Sequence, residues 1–225
     1  ANWYWEVGMR DDQVADAEKI RDYGMYVAYS TFSYCKNRYS RKEEWICTHL
    51  TWVSHVSGKR ESRRVVGDYI LREQDLTRPI VHEDATCTTT WRIDQHYPDP
   101  RNADKYPGEE WMSIGVLTPI DFYPLPYRCF YSKDIPNLFM AGRNISVSHI
   151  ALGSTRVMRT CGLIGEVVGM AASICTKKKA NPRDVYTTYF EDLKALMRKG
   201  TGRTDVPYTQ FYHQVDRTGH QAEDR

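Results

Sequence analysis

The stretch HIALGSTRVMRTCGLIGEVVGMAAS, residues 149–173, decides how this chain is expected to fold. It is apolar enough for a core helix, yet it carries glycine at positions 162, 165 and 169. A glycine inside a helix costs about 1 kcal/mol relative to alanine, so three of them require an explanation. At about 100° per residue these glycines and Ala172 fall within an arc of about 80°. The helix therefore has a bare face, along which another group can approach its backbone.

The residues before this helix resemble a cofactor site in their order. Residues 138–141 are apolar, predict a short strand, and lead directly into Gly142. A strand, a polar loop and a helix that is apolar all round are typical of α/β cofactor sites. Thr160 is expected to cap the helix, and with Arg156 and Arg159 beside it the helix start suits an anion or a carbonyl oxygen. The alternative, small residues that pack tightly on a sheet, stays open.

Composition excludes several classes of protein. The 225 residues suffice for one good core or two smaller ones, and a hydrophobic share of 41% suits a folded chain. A net charge of +2 gives no basic footprint for nucleic acid. The longest apolar run, around residues 161–175, contains Glu166 and is shorter than the roughly 20 residues of a membrane span. We therefore expect neither nucleic acid nor a membrane as a partner.

The cysteines and the first residues of the chain indicate whether to expect a metal site, disulfides or a longer parent protein. The six cysteines show neither a CxxC pair nor zinc-ligand spacing, so we expect no metal site and no disulfide framework. They are expected to be reduced, buried, small apolar residues, with Cys35, Cys161 and Cys175 on helices. The chain starts ANWYWEV, without an initiator methionine or a signal peptide, and is therefore expected to be a piece of a longer protein. The compartment is left open.

Further elements follow from apolar spacing and from turn residues. Asp11 or Asp12 is expected to cap a helix that runs to about Tyr34, and Asn181 with Pro182 to begin one that ends at Gly200. Strands are predicted for residues 45–56, 65–71 and 113–120, and an extended segment limited by prolines for 121–130. Residues 92–110, with three prolines, predict a long loop.

Three other segments carry side chains that are capable of chemistry. The charged cluster GKRESRR, residues 58–64, is either a solvated turn or a means of directing Arg60 into a cleft. In PLPYRC the prolines stiffen the chain before Tyr127 and Arg128, as a connector or as part of a site. His149 precedes Ser154, but LGSTR is no nucleophile elbow, so a serine hydrolase is disfavoured.

Three segments resemble a known family. NLFMAGRNISVSHIALGSTRVMRTCGLIGEVVGMAAS (137–173), GKRESRRVVGDYIL (58–71) and PYRCFYSKDIPNLFMAGR (126–143) resemble the C-terminal half of FAD-dependent oxidoreductases with the glutathione reductase-like flavoprotein fold, often bacterial. The resemblance covers roughly residues 6–200. One departure is large: the chain has no GxGxxG and no acidic residue to receive an adenosine ribose. The N-terminal dinucleotide-binding half is therefore expected to be a missing partner, and this chain alone to be inactive.

The resemblance implies an α+β or α/β fold. It implies a β-rich substrate domain with helices at 1–130, a closing strand–helix segment of the FAD domain at 131–200, and a polar tail at 201–225. FAD is the implied cofactor, and the implied reaction is hydride transfer between a small-molecule substrate and flavin N5. The residues implied to contact the cofactor are Gly142, Arg143, Ser154, Arg156, Thr160, Cys161 and Gly162. Those implied to orient the substrate or to move a proton are His149, Arg128, Arg60 and Tyr127.

Two other interpretations of the sequence compete with the oxidoreductase interpretation. A non-catalytic carbohydrate- or ligand-binding domain would use exposed tryptophans as platforms, from the set Trp3, Trp5, Trp45, Trp52, Trp91 and Trp111. Solvent-shielded indoles would contradict that reading. Alternatively, the chain is an interaction piece whose apolar flavin-facing surface drives homo-oligomer formation.

Overall fold

The computed structural model describes residues 4–201, which form two compact units of mixed helix and small sheet. Unit 1 comprises the residues up to Ser62 together with His96–Val116, and unit 2 comprises Arg63–Gln95 with the residues from Leu117 onward. The α+β class expected from the sequence is confirmed in this coarse form. The expected boundary at residue 130 separates a substrate domain from a cofactor-binding segment by their roles, and it stays a prediction.

The elements are short apart from two helices of 21 residues each. The α-helices are α1 (Ala17–Asn37), α2 (Glu73–Thr77), α3 (Pro100–Lys105), α4 (His149–Thr155), α5 (Met158–Lys178), α6 (Pro182–Thr187) and α7 (Phe190–Lys199). The strands are β1 (Ala85–Thr89), β2 (Ile93–Pro98), β3 (Ser113–Thr118) and β4 (Tyr123–Pro126), and they pair as β1–β4 and β2–β3.

Unit 1 is organised by α1 and by the N-terminal segment. Ile20 and Val27 are the buried residues of α1. Gly8 has a φ of +71° and lies so close to Ile20 that a Cβ would come within 2.7 Å of its side chain. Only glycine adopts this backbone conformation freely, and here it also leaves room for the isoleucine. The chain around Gly8 is thereby fixed against α1.

Unit 2 is built around α5, which packs against β1, α6 and α7. The buried residues of α5 recur every three to four positions and are mostly apolar: Thr160, Leu163, Ile164, Val167, Ala171 and Ile174. Every residue of β1 and β4 is buried, and the two strands run antiparallel with a register shift between Ala85 and Thr88. Burial of such a contiguous apolar face supplies the driving force for folding of this unit.

Among the helices of the described residues, α5 alone is long and apolar enough to cross a membrane, judged by length and composition only. The expectation that the apolar run around residues 161–175 is too short for a span is therefore wrong. One third of its most apolar stretch is buried. Core helices of globular proteins pass the same test, and α5 packs against β1, α6 and α7. The expectation that no membrane is a partner stays a prediction.

Four predictions of strands or loops are wrong. Residues 45–56 form no strand. They follow a 3-10 helix, Lys42–Trp45, and are largely exposed. Lys36 Nζ donates hydrogen bonds to the backbone oxygens of Ile46 and Thr48. Residues 138–141 form only an isolated bridge, Tyr131–Phe139. Without a partner strand, β-branched and aromatic residues do not by themselves make a ladder.

Prolines explain the third error. The segment predicted as a long loop contains β2, which ends at Pro98, and α3, which begins at Pro100. Asp99 caps α3 through a hydrogen bond from Arg101 N to its carboxylate, 2.9 Å. A proline at the first helical position lacks only an N–H that would be unpaired anyway, so it starts a helix as readily as it ends one.

The fourth error concerns residues 65–71. This segment is not a named strand, but its Val65 and Leu71 N–H groups donate to Asn144 O and Ser146 O, at 3.0 and 3.1 Å. It therefore lies extended beside the chain that leads to α4, with an isolated parallel bridge between Leu71 and Val147. The predicted extended conformation is right and the predicted ladder is wrong.

Other predictions are confirmed in part. Helix α1 is present, but it begins at Ala17, so the predicted cap at Asp11 or Asp12 is wrong; Asp12 instead accepts hydrogen bonds from Val14 N and Ala15 N in the turn before the helix. Strand β3 and the proline-limited β4 lie where expected, and Asn181 caps α6 in a capping box that includes Asp184. The expected single helix up to Gly200 is two, because α6 ends at Thr187 and α7 begins at Phe190. All six cysteines are free, but only Cys87 and Cys129 are buried; the expectation of burial is wrong for the exposed Cys47 and for the half-buried Cys35, Cys161 and Cys175. The predicted polar tail at 201–225 lies outside the described residues, apart from Thr201.

Asp68 couples the stability of unit 2 to acid pH. Arg183 donates two hydrogen bonds to its carboxylate, each 2.7 Å, and Tyr131 Oη donates a third at 2.8 Å. The Arg183 hydrogen bond holds the Asp68 pKa below its usual value, against the opposing effect of burial. A lowered pKa gives stability that is present above the unfolded-state value, about pH 4, and is lost as pH falls through the folded-state value.

We therefore expect Asp68→Asn to lower the free energy of unfolding at neutral pH and to flatten its decline in acid. Urea unfolding at a series of pH values, from neutral to about pH 3, measures both effects. Asp134→Asn, a change at an exposed carboxylate of the same unit, is the control. An equally steep acid decline in Asp68→Asn and in the parent chain would contradict the assignment.

Candidate functional site

The start of α5 and the short 3-10 helix Gly142–Asn144 lie together in unit 2. Gly142 has a φ of +78°, in the left-handed region that side chains disfavour. Burial raises the pKa of the Cys161 thiol, and the neighbouring Arg143 guanidinium opposes that rise. Three of the residues assigned to the cofactor, Gly142, Arg143 and Cys161, are thus brought to one place.

The helix begins two residues earlier than predicted, and its predicted cap is wrong. Helix α5 starts at Met158, with Val157 at the cap position and no side-chain hydrogen bond to the first turn. The first N–H groups of any helix lack intrahelical acceptors and carry partial positive charge. Met158 is 92% exposed, so the first turn borders solvent. An acceptor oxygen from a bound molecule suits this helix start.

Thr160 instead belongs to a buried cluster of hydroxyl groups. Thr89 Oγ1 lies 3.1 Å from Ser154 Oγ and 3.3 Å from Thr160 Oγ1, and Ser154 Oγ donates to Trp91 O at 2.7 Å. All three hydroxyl residues are at most 3% exposed. The cluster joins β1, α4 and α5, so the contacts of Ser154 and Thr160 indicate that they fix the position of the helix start. Direct contact of either residue with a cofactor stays a prediction.

The glycine face of α5 is open. A Cβ built on Gly162, Gly165 or Gly169 would meet no heavy atom within 4 Å. The alternative that these glycines allow tight packing on a sheet is therefore wrong for the described residues. The buried residues of α5 lie on the other side of the helix, so the small residues leave a strip of backbone accessible beside the helix start.

His149 and Arg156 lie at the two ends of α4. His149 is the first residue of that helix, which Ser148 caps through its side chain, and His149 is exposed. Arg156 Nη2 donates to both the backbone oxygen and the carboxylate of Asp94, each at 3.2 Å, and its side chain is 15% exposed. Arg156 therefore holds α4 to the start of β2, and its role toward a cofactor stays a prediction.

Tyr127 lies in the interior of unit 2, and its neighbour Arg128 is partly buried. Tyr127 is fully buried, its hydroxyl donates to Pro182 O at 2.9 Å, and burial raises its pKa above the usual range. Arg128 forms two 3.0 Å hydrogen bonds with the buried Asp84, and this pairing raises its pKa. These contacts indicate structural roles. The prediction that either residue orients a substrate has no support from its position.

Arg60 belongs to unit 1, where it pairs with Glu6 and lies 3.4 Å from His96 Nδ1. Sequence pattern did not single out Glu6 or His96, nor Thr89 or helix α4. Glu6 and His96 are ninety residues apart in the sequence, and no motif spacing connects them. Ser148 before an apolar run was the one local signal for α4, since serine is a preferred helix cap.

The described residues contain no group of three or more His, Cys, Asp or Glu side chains that could hold a metal ion. Comparison with protein families gives a match over residues 1–197 to the family described as FAD dependent oxidoreductase. Neither curated proteins nor solved structures give a match.

Proposed function

The chain belongs to the FAD dependent oxidoreductase family, and from this premise we propose that it supplies the flavin-contacting and substrate-binding portion of such an enzyme. In this proposal the N-terminal dinucleotide-binding half of a glutathione reductase-like fold comes from elsewhere in a longer polypeptide. The substrate is a small molecule, and this portion alone does not turn it over.

The observation that carries the proposal is the open face of α5 beside an uncapped helix start. Gly162, Gly165 and Gly169 leave the helix backbone accessible, although each costs about 1 kcal/mol of helix stability relative to alanine. No internal packing in the described residues accounts for that cost. A planar cofactor or the backbone of a partner segment that packs close to this face does account for it.

The residues of this region fit the polar edge of a flavin. The N–H groups of the first turn of α5 can donate to a flavin carbonyl, and the helix dipole stabilises negative charge there. Arg143 adds a guanidinium close to Cys161, and Gly142 lets the chain turn without a side chain in the way. When FAD is bound it supplies the hydride chemistry, and the protein supplies orientation and electrostatics. His149, exposed at the start of α4, remains a candidate to orient substrate.

The proposal is tested by mixing the purified chain with FAD, desalting the mixture and scanning for visible flavin bands. We expect this chain to lose its flavin and the full-length polypeptide that contains it to retain flavin. Flavin retained by the chain alone would point to a site completed by self-association, which sedimentation would detect. A full-length polypeptide without flavin would overturn the proposal.

A carbohydrate-binding module is the second candidate function, and it requires exposed tryptophans. Trp5, Trp52 and Trp91 are 39%, 70% and 41% exposed, whereas Trp45 and Trp111 are half-buried. Trp3 lies outside the described residues. Exposure therefore does not exclude a sugar platform, but Trp91 belongs to a different unit from Trp5 and Trp52. The family match favours the oxidoreductase.

A further inference from the structure

His82 lies in the segment between α2 and β1, with its imidazole between a cation and an anion. Its side chain is 13% exposed, and its ring packs against that of Tyr69, with ring centroids 4.5 Å apart. Nδ1 lies 3.5 Å from Arg128 Nη2, and Nε2 lies 3.8 Å from Asp75 Oδ1. All four residues belong to unit 2, and none is assigned to the flavin.

The two contacts of the ring select one form of the neutral imidazole. A guanidinium only donates hydrogen bonds, so Nδ1 accepts from Arg128 and the ring proton lies on Nε2. Arg128 Nη2 also donates to Asp84 Oδ1 at 3.0 Å, and its second hydrogen serves His82. Nε2 is buried and has no hydrogen-bond partner in the described part of the chain, because 3.8 Å to Asp75 is too long. Neutral His82 therefore leaves one buried donor unsatisfied.

The Asp75 carboxylate is held in place to receive that donor. Tyr69 Oη donates to its Oδ1 and the Arg72 N–H donates to its Oδ2, each at 2.7 Å. The second contact ties Asp75 to the N-cap residue of α2. Each carboxylate oxygen accepts two hydrogen bonds, so Oδ1 has capacity for one more. A movement of the imidazole by less than about 1 Å would bring Nε2 within hydrogen-bond distance.

Among the groups that face His82, the imidazole is the one whose charge ordinarily changes between about pH 5 and 8. The nearby phenols stay neutral, because burial raises the pKa of Tyr69 and of Tyr123. The Arg128 guanidinium stays charged, because hydrogen bonding to its carboxylate partner raises its pKa. The remaining acidic neighbour, Glu83, is exposed. A fall in pH through this range therefore adds one positive charge at the imidazole.

We propose that His82 is a pH-sensitive switch that exchanges Arg128 for Asp75 when its imidazole is protonated. Protonation places a hydrogen on Nδ1, which then cannot accept from the guanidinium and faces a like charge. The same positive charge is attracted to the Asp75 carboxylate, and the Nε2 hydrogen, unsatisfied in the neutral form, gains an acceptor. Acid thus releases the segment before β1 from Arg128 and fastens it to the start of α2.

The switch lies one helix away from a residue of the proposed site. Helix α2 packs against α4, which begins at His149, the candidate to orient substrate. Movement of the segment before β1 is therefore a route by which pH reaches that end of the site. The exchange itself uses only residues of unit 2 and does not require flavin, so it can fail or succeed independently of the proposed function.

NMR of the purified, isotope-labelled chain tests the exchange. At about pH 8, long-range ¹H–¹⁵N correlations identify the protonated nitrogen of His82, and we expect Nε2. Between about pH 8 and 5 we expect the signals of the Arg128 Nε–H group and of the Arg72 backbone amide to shift with the same midpoint as the His82 ring. The first signal reports release from the guanidinium, and the second reports the new hydrogen bond on Asp75.

His82→Gln retains a side-chain acceptor for Arg128 but cannot titrate, so both shifts should be lost. His55→Gln, at an exposed histidine of unit 1, is the matched control and should keep them. A His82 proton on Nδ1 at about pH 8, or a ring still neutral at about pH 5, would overturn the proposal even if His82→Gln failed to fold. So would shifts that persist in folded His82→Gln, or that are missing from the parent chain.

Discussion

Asp84→Asn is expected to lower the free energy of unfolding by about 3 kcal/mol, the low end of the range for breaking a buried ion pair, because the Arg128 side chain is 23% exposed. Asp84 is fully buried and accepts three hydrogen bonds from Arg128: two from the guanidinium at 3.0 Å and one from the backbone N–H at 2.9 Å. The guanidinium is also enclosed by the rings of Tyr69 and Tyr186, at 5.4 and 5.1 Å from their centroids. Asparagine would direct amide hydrogens at a cation and leave its charge unpaired.

Urea unfolding measures the effect, with Glu83→Gln as the control. Glu83 is the neighbouring carboxylate, but it is exposed and accepts a hydrogen bond from Tyr186 Oη at 2.6 Å. Exposed polar contacts contribute about 1 kcal/mol or less, so the control should be nearly neutral. A loss under about 1 kcal/mol in Asp84→Asn would show that the pair does not hold unit 2 together.

Gly67→Ala and Gly165→Ala are expected to change stability in opposite directions. A Cβ on the buried Gly67 would lie 2.5 Å from Arg128 O and 3.0 Å from Tyr131 O, so the backbone must shift at a cost of about 1–3 kcal/mol or more. A Cβ on Gly165 meets nothing within 4 Å, and alanine in its helix should stabilise by up to about 1 kcal/mol.

The two variants make the same chemical change in the same unit, so each is the control for the other. Thermal unfolding followed by circular dichroism separates them, and a change of 1 kcal/mol moves the midpoint by about 2–4 °C in a chain of this size. Destabilisation by Gly165→Ala would show that the glycine face is packed within this chain. A neutral Gly67→Ala would show that the close approach at Arg128 and Tyr131 relaxes freely.

Periodic apolar spacing and turn residues predicted much of the fold. They located α1, α5, β3 and the Asn181 cap because each depends on residues close in sequence. They failed for residues 45–56, where strand-forming residues have no partner strand, and around Pro98 and Pro100, where prolines bound elements rather than a loop. Whether an extended segment finds a partner depends on contacts distant in sequence, which local pattern does not contain.

The candidate site shows the same limit. The glycine face could be predicted from the helical period, and the structure shows it open. The role of Thr160 could not, because its hydroxyl partners Thr89 and Ser154 come from β1 and α4. Glu6 and His96 likewise meet only because the N-terminal segment pairs with β3. Residue type identified the groups able to carry chemistry, but not which of them lie together.

We propose that the open face of α5 receives the flavin or the segment that holds it. The most direct measurement is the flavin content of the full-length polypeptide carrying Gly162→Leu and Gly165→Leu, compared with Ala195→Leu at an exposed position of α7. We expect the double variant to remain folded and to lose its visible flavin bands, while the control keeps them. A folded double variant with undiminished flavin would contradict the claim.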